Sequence, residues 1–162
     1  MAEAAQNIEV GDVEGGKFLT FLLQNEEYGL EILKVREIMG IMNITPVPQT
    51  PSYVKGVINL RGQVISVIDL RLKFGLPEGE YDQKTCIIVV DVKGTLMGIV
   101  VDTVSEVLDI NGNDIEPPPS FGSELNTDYI LGMGKVDGNV KILLEIDKVL
   151  SAEELVALEK LT

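Results

Sequence analysis

Apolar residues along the chain occur in short runs separated by turn residues, a pattern typical of β-strands. Such runs lie at residues 18–24, 28–32, 86–92 and 96–101, and each is rich in Val, Ile, Leu or Phe. None approaches the ~20 apolar residues that a membrane-spanning helix needs. The pattern therefore predicts a mainly β protein made of short strands.

Turn residues support the same interpretation. Arg61-Gly62-Gln63 and Asp137-Gly138-Asn139 each separate two apolar runs, as expected for β-hairpins. The segment 140–146 alternates, so we expect Val140 on its apolar face and Lys141 on its polar face. Strands spaced by ~8–12 residues with turns between them favour barrels or sandwiches.

Two segments have helical patterns. Residues 33–39 give a weak one. Ser151 and Glu154 form a capping-box motif ahead of an apolar run, which predicts a C-terminal helix within residues 151–162 that packs on the second barrel. Residues 1–16 are acidic and rich in Gly and Ala, and we expect them to form a disordered tail.

The sequence also repeats itself. A shift of 69 residues aligns Gly29 with Gly98 and Glu37 with Glu106. Beyond the prolines a shift of 76 continues the alignment through the second half, and the difference predicts seven extra residues around 120–126. The later matched pairs are Tyr53 with Tyr129, Gly56 with Gly132, Gly62 with Gly138, and Asp69 with Glu145. The two copies, residues 18–70 and 87–146, predict two similar five-stranded barrels that arose by internal duplication.

Composition excludes several functions. The chain has 13 Lys and Arg against 26 Asp and Glu, a net charge of −13. Nucleic-acid and anionic-lipid binders need a basic face, so both classes are disfavoured. The chain has no His, which excludes a Ser-His-Asp triad and imidazole metal ligation, and its single Cys cannot form an internal disulfide.

Three motifs fall short of catalytic or metal-binding signatures. Asp102-Thr103 suggests an aspartic protease, but its repeat partner is Leu33, so no carboxylate dyad exists. Gly132-x-Gly134 lacks the third glycine of a dinucleotide-binding loop. Residues 109–114 lack the spacing of a calcium loop. We therefore expect no catalytic residues, no metal and no cofactor.

Two surface features remain. Arg61 occupies a tight turn where the other copy has Asp137, so the common framework does not require the arginine. Residues 38–44 are apolar without a clean period of 2 or 3.6. That segment is either an exposed adhesive patch or filling for the barrel core.

The same residues resemble the CheW family. The matching motifs are Tyr28-Gly29-Leu30-x-Ile32-Leu33-x-Val35-x-Glu37-Ile38, then residues 56–62 and 67–70, with 98–102 and 129–132 in the second half. The resemblance covers residues 17–150, and Ser66 stands where the family often has Pro.

The resemblance implies two SH3-like five-stranded barrels and a stand-alone chemotaxis adaptor without enzymatic activity. Such an adaptor is cytoplasmic and is recruited to receptor arrays at the inner face of the membrane. It couples the cytoplasmic tips of methyl-accepting chemoreceptors to the regulatory domain of the histidine kinase CheA. The alternative is a ligand-sensing or enzymatic β-barrel protein that uses a cleft between its barrels.

Site residues are carried over by motif. Receptor binding would use Val35, Glu37, Gly56, Asn59, Arg61 and Gly62. Kinase binding would use the following loop, at Gly40, Ile41, Ile44 and Thr45.

Overall fold

A computed structural model of the chain describes residues 15–118 and 127–162. In these residues the chain is mostly β, as predicted, and its strands form one six-stranded and one five-stranded sheet. The strands are β1 Gly16–Leu23, β2 Glu26–Glu31, β3 Val35–Gly40, β4 Val54–Leu60, β5 Gln63–Asp69, β6 Cys86–Val92, β7 Thr95–Val101, β8 Thr103–Ile110, β9 Ile115–Glu116, β10 Ile130–Val136 and β11 Asn139–Leu144.

Helices are short. Helix α1 (Leu70–Lys73) begins after Asp69, whose carboxylate accepts a hydrogen bond from the Leu72 amide and caps the first turn. Helix α2 (Ala152–Glu159) has the predicted capping box, in which Ser151 and Glu154 each accept from the other's backbone amide. Short 3₁₀ helices occur at Ile32–Lys34, Gly112–Asp114 and Ile146–Lys148.

Tight turns join the hairpin strands, and they occur at matching positions in the two copies. In each turn both central residues have positive φ, the type I′ geometry that suits the strand twist. These pairs are Gln24-Asn25, Arg61-Gly62, Lys93-Gly94 and Asp137-Gly138. Both hairpins predicted at Gly62 and Gly138 are therefore confirmed.

The two sheets exchange strands between the copies. Barrel I, the five-stranded sheet, has the order β3-β6-β7-β5-β4, and barrel II, the six-stranded sheet, has the order β8-β1-β2-β11-β10-β9. Each barrel thus combines a hairpin from one copy with the later strands of the other. The expectation that each sequence copy forms its own barrel is wrong, because repeats in a sequence do not specify which copy supplies the pairing partner.

Both barrels close in the same way. In barrel I, the chain after β3 crosses to β4, where Thr45 and Val57 exchange two backbone hydrogen bonds of 2.9 Å. In barrel II, β9 follows β8 and pairs with β10, with Glu116 opposite Met133. Closure removes exposed strand edges that would otherwise pair with other chains.

Three clusters of buried side chains hold the molecule together. Barrel I encloses one around Ile65 and Val89, and barrel II encloses a smaller one around Phe18 and Leu143. The largest cluster, the central core, lies between the sheets and includes residues of β1, β2, β5, β6, β7, β11 and α2. Strands such as β6 are therefore buried on both faces, which explains their unbroken apolar sequence.

Three local predictions need correction. Residues 35–39 belong to strand β3, and only the 3₁₀ helix before it is helical. Val140 is 52% exposed while Lys141 is buried, where it contacts Glu27, so their predicted faces are reversed. The register of β11 places Lys141 toward the interior of barrel II, together with Leu143.

Helix α2 is bonded to two strands of barrel I, one from each copy, so the prediction that it packs on a second barrel formed by the second copy is wrong. Leu155 and Leu158 enter the central core. The Ser66 hydroxyl of β5 donates to the Leu158 carbonyl at 3.2 Å, and Thr95 of β7 donates to Glu159 at 2.6 Å. The helix therefore ties strands from both copies.

Two predicted segments lie mainly outside the described residues. Residues 1–14 of the predicted tail (residues 1–16) lie outside the described residues, and β1 already begins at Gly16. The predicted insertion around residues 120–126 is outside it entirely.

Strand exchange predicts that neither copy folds alone. A fragment of residues 15–79 lacks β8 and β11, which flank the β1–β2 hairpin, and a fragment of residues 80–162 lacks β3 and β5, which flank the β6–β7 hairpin. We expect each to be disordered by circular dichroism, because each exposes half of the central core. Mixing the two fragments should restore β structure and cooperative melting. A fragment that melted cooperatively by itself would contradict this prediction.

Candidate functional site

The candidate receptor-binding residues Glu37 and Arg61 form a two-pronged ion pair. Glu37 lies on β3, and Arg61 lies in the β4–β5 turn. Arg61 Nη2 donates to Glu37 Oε1 at 2.6 Å, and Nη1 donates to Oε2 at 3.2 Å. The pair therefore joins β3 to the end of β4, the two edge strands between which barrel I closes. Sequence reasoning placed both residues in the same set but did not predict that they contact each other.

This pair is exposed and stays charged. The Arg61 side chain is 71% exposed. The hydrogen bond from Arg61 lowers the pKa of the Glu37 carboxyl, and the same bond raises the pKa of Arg61. A guanidinium has five N–H donors, so Arg61 keeps further donors for a partner while Glu37 fixes the orientation of its plane.

Asn59 and Gly62 shape the turn that carries Arg61. The Asn59 side-chain oxygen accepts a hydrogen bond from the Gly62 amide at 2.8 Å. Arg61 has φ of 52° and Gly62 of 89°, and the asparagine stabilises this left-handed turn by satisfying one of its amides. Asn59 and Gly62 therefore hold Arg61 in place, and both are themselves exposed.

Gly56 links the two candidate sets. It has φ of 141°, and a Cβ at this position would lie 2.0 Å from the Thr45 carbonyl oxygen. Thr45 belongs to the candidate kinase-binding loop, and its backbone pairs with Val57 beside Gly56. Gly56 is buried, so its part in the site is to allow the loop to approach β4.

Val35 begins β3 and is half-buried against the central core. A bulge at Arg36 separates Val35 from Glu37 in the pairing with β6. Sequence reasoning missed the neighbouring Leu33, which is 85% exposed at the crossover between barrels. The repeat alignment could have indicated that Leu33 is exposed, because it aligns Leu33 with the charged Asp102.

The candidate kinase-binding residues divide by exposure. Gly40 and Thr45 are exposed, whereas Ile41 and Ile44 are half-buried and pack against the interior cluster of barrel I. Ile38 and Met42 are 43% and 39% exposed. The apolar segment 38–44 is thus partly core and partly surface: Ile41 and Ile44 fill the barrel, while Ile38 and Met42 form an exposed apolar patch.

Barrel II lacks the corresponding charge pair. Glu106 occupies the position of Glu37, and Asp137 occupies that of Arg61, so two acids replace an acid and a base. Lys135, which corresponds to Asn59, instead contacts Glu116 on β9 at 2.8 Å. The turn geometry is shared, with φ of 52° at both Arg61 and Asp137. The charge difference is therefore not dictated by the fold.

Other chemistry is limited in the part of the chain that the structure describes. Within residues 15–118 and 127–162, no group of three or more acidic or Cys residues is arranged to hold a metal ion. No helix in these residues is long and apolar enough to cross a membrane.

The chain matches known proteins over most of its length. Residues 17–154 match the family model of the CheW-like domain. The chain is 45% identical to the chemotaxis protein CheW of Klebsiella aerogenes over 90% of this chain and 87% of that one. It is 35% identical to CheW of Rhizobium meliloti over 95% of this chain and 97% of that one.

A solved structure has the same fold. The scaffolding protein TtCheW of Thermoanaerobacter tengcongensis is 36% identical, with a TM-score of 0.79 over 86% of this chain and 95% of that one. The paired barrels and these matches place the protein among the scaffolds of bacterial chemotaxis signalling. The chain belongs to the CheW-like domain family. The resemblance seen in the sequence is confirmed, and the family is one of scaffolds rather than enzymes.

Gly56→Ala should destabilise the fold by more than about 2 kcal/mol, because the new methyl group would overlap the Thr45 carbonyl. Gly94→Ala is the matched control. Gly94 also has positive φ but has open space at its Cβ position, so its cost should be about 1 kcal/mol. Urea unfolding of both variants measures the difference. Equal destabilisation would show that the close approach of loop and strand is unimportant.

Proposed function

We propose that the chain couples transmembrane chemoreceptors to the histidine kinase CheA by non-covalent binding and has no enzymatic activity of its own. The observation that carries this proposal is the Glu37–Arg61 pair, in which a half-buried carboxylate orients an exposed guanidinium. Barrel II has the same turn geometry at Asp137 without the ion pair, so the ion pair is not required for the fold.

Barrel I supplies the proposed receptor surface. Val35 and Glu37 lie on β3, and Arg61 is held in the adjoining turn by Asn59 and Gly62. An apolar edge beside an oriented guanidinium suits a helical receptor tip that presents apolar and acidic side chains. Recruitment of the cytoplasmic adaptor to receptor arrays at the inner face of the membrane would follow from this binding.

The segment after β3 supplies the proposed kinase surface. Gly40, the last residue of β3, and Thr45 are exposed on either side of this segment, and the two hydrogen bonds between Thr45 and Val57 fix its path. A segment held in this way loses little conformational freedom when a partner binds. The regulatory domain of CheA is the proposed partner.

The alternative function needs a cleft between the barrels. A cavity of about 310 Å³ lies between Phe74, Tyr129, Lys148 and the start of α2. This volume is at the lower end of the range for small-molecule sites. Co-sedimentation of the purified protein with kinase in receptor-containing membranes distinguishes the two functions, because a ligand sensor would remain in the supernatant.

Arg61→Glu should weaken binding to a receptor cytoplasmic fragment by at least about tenfold. The change removes the outward guanidinium and places a second carboxylate beside Glu37. Because Arg61 is 71% exposed and the half-buried Glu37 meets it at the surface, loss of their contact should cost little, and we expect the melting temperature to change little. Affinity measured by titration calorimetry, together with a thermal melt, checks both parts.

The double variant Arg61→Glu with Glu37→Arg is the control for this test. It restores an ion pair of reversed polarity, so the turn regains its contact while the surface charge is inverted. Receptor binding should stay weak. Full recovery would instead mean that the pair serves only to hold the turn.

Gly40→Arg should abolish kinase binding while receptor binding stays near that of the unmodified protein. Nothing lies within 4 Å of a Cβ placed on Gly40, so the side chain projects from the segment without disturbing the barrel. Ile44→Asp is a poorer probe, because Ile44 packs against the interior cluster and a carboxylate there would also destabilise the barrel.

Gly16→Arg is the matched control, since Gly16 also has open space at its Cβ position but lies at the start of β1. Pull-down with the CheA regulatory domain compares the two variants. Unchanged kinase binding by Gly40→Arg would remove this segment from the proposed interface.

A further inference from the structure

The chain crosses between the barrels at two equivalent places, and an ion pair holds each crossover. Between β7 and β8, Asp102 accepts hydrogen bonds from Arg71 Nε at 2.7 Å and from the Gln24 amide at 2.9 Å. Arg71 Nη2 contacts the second carboxylate oxygen. Burial opposes ionisation of Asp102, but these hydrogen bonds outweigh it and lower its pKa.

Between β2 and β3, the ion pair has the opposite polarity. Lys34 Nζ donates to Asp147 Oδ2 at 2.9 Å. In the repeat alignment, Asp147 occupies the position of Arg71. Lys34 aligns with Thr103 rather than with Asp102, so the two ion pairs lie at equivalent crossovers but do not match residue by residue. Both members of the Lys34–Asp147 pair are about two-thirds buried. The contact joins the 3₁₀ helix Ile32–Lys34 to the 3₁₀ helix Ile146–Lys148, and hence one copy to the other.

The Lys34 crossover has fewer bonds than the Asp102 crossover. Asp147 Oδ1 is buried, and no described residue donates a hydrogen bond to it. The hydrogen bond with Asp147 raises the pKa of the ammonium, and electrostatic interactions with Glu145 and Glu31 act in the same direction. Burial and then the charge of Glu145 raise the pKa of Glu31, while Lys34 acts in the opposite direction.

We propose that the Lys34–Asp147 ion pair is a positioning pair for receptor binding. Lys34 directly precedes Val35, and Glu37 lies only two residues further along β3. The Val35 amide donates to the Ile32 carbonyl and closes the 3₁₀ helix that Lys34 ends. By fixing that helix against barrel II, the pair sets where β3 begins and how its first side chains are presented.

Removal of either member breaks the bond that joins the two 3₁₀ helices. Removal of the ammonium also leaves the charges of Glu31, Glu145 and Asp147 without their counter-charge. Repulsion among these carboxylates favours opening of the 3₁₀ helix Ile32–Lys34, because the carboxylates move apart and become hydrated when the helix opens. The strand start would then occupy several arrangements, and the receptor would have to select one of them. The apparent affinity for the receptor is then the intrinsic affinity multiplied by the fraction of molecules in the binding-competent arrangement. The proposal rests on the receptor-binding function proposed above.

Two single variants test it. Lys34→Met keeps most of the side-chain volume without its charge, and Asp147→Asn changes the opposite member within the other copy. Each should weaken receptor-fragment binding about fivefold and leave binding of the CheA regulatory domain unchanged. Hydrogen exchange of the Val35 amide should be faster in both. Lys135→Met, which breaks the exposed Lys135–Glu116 pair of barrel II, should alter none of these readouts.

The charge-exchanged double variant Lys34→Asp with Asp147→Lys should recover most of the receptor affinity. Loss only with Lys34→Met would overturn the proposal, since Lys34 would then contact the receptor directly. Unchanged affinity in both single variants would also overturn it, as would parallel loss of receptor and kinase binding with a lowered melting temperature. If the unmodified protein binds no receptor fragment, the proposed function itself fails, which is a separate result.

Discussion

The central core between the two sheets is the constraint on which the rest of the structure depends. Each barrel alone encloses few large side chains, and barrel II in particular is filled mainly by Phe18, Ile110, Ile115 and Leu143. The central core unites strands of both copies with helix α2. Since burial of apolar surface is the main favourable contribution to folding, the two barrels are stable as a pair. Their relative orientation, and with it the position of the crossovers, follows from that shared packing.

Sequence reasoning succeeded where the determining interactions are local. The type I′ turns and the capping box at Ser151 each depend on a few adjacent residues, and both are present. The sequence of β3 gives a weak helical pattern because a bulge at Arg36 interrupts the alternation that identifies a strand. Alternation predicts Lys141 on the polar face because it does not reveal that Lys141 donates to Glu27 on β2, which is far away in the sequence but adjacent in the sheet.

The candidate site was only partly accessible from the sequence for a related reason. A family resemblance supplied its residues, but not their geometry. Glu37 and Arg61 meet because barrel closure brings β3 to the β4–β5 turn, and Gly56 belongs with them because it permits the loop at Thr45 to approach. Lys34 and Asp147 lie far apart in the chain and in different copies. No pattern within either segment indicates that they are partners; only the exchange of strands brings them together.

Strand exchange also bears on the origin of the chain. A single copy that paired its strands as this chain does would complete its barrel with the hairpin of an identical neighbour, giving a symmetric dimer with swapped hairpins. In such a dimer both subunits carry the same surface, and any mutation appears on both. Two copies within one chain are free of that restriction, because each position can differ between them. One turn can then carry Arg61 while its counterpart carries Asp137. A single small protein thereby presents different charges on the equivalent turns of its two barrels.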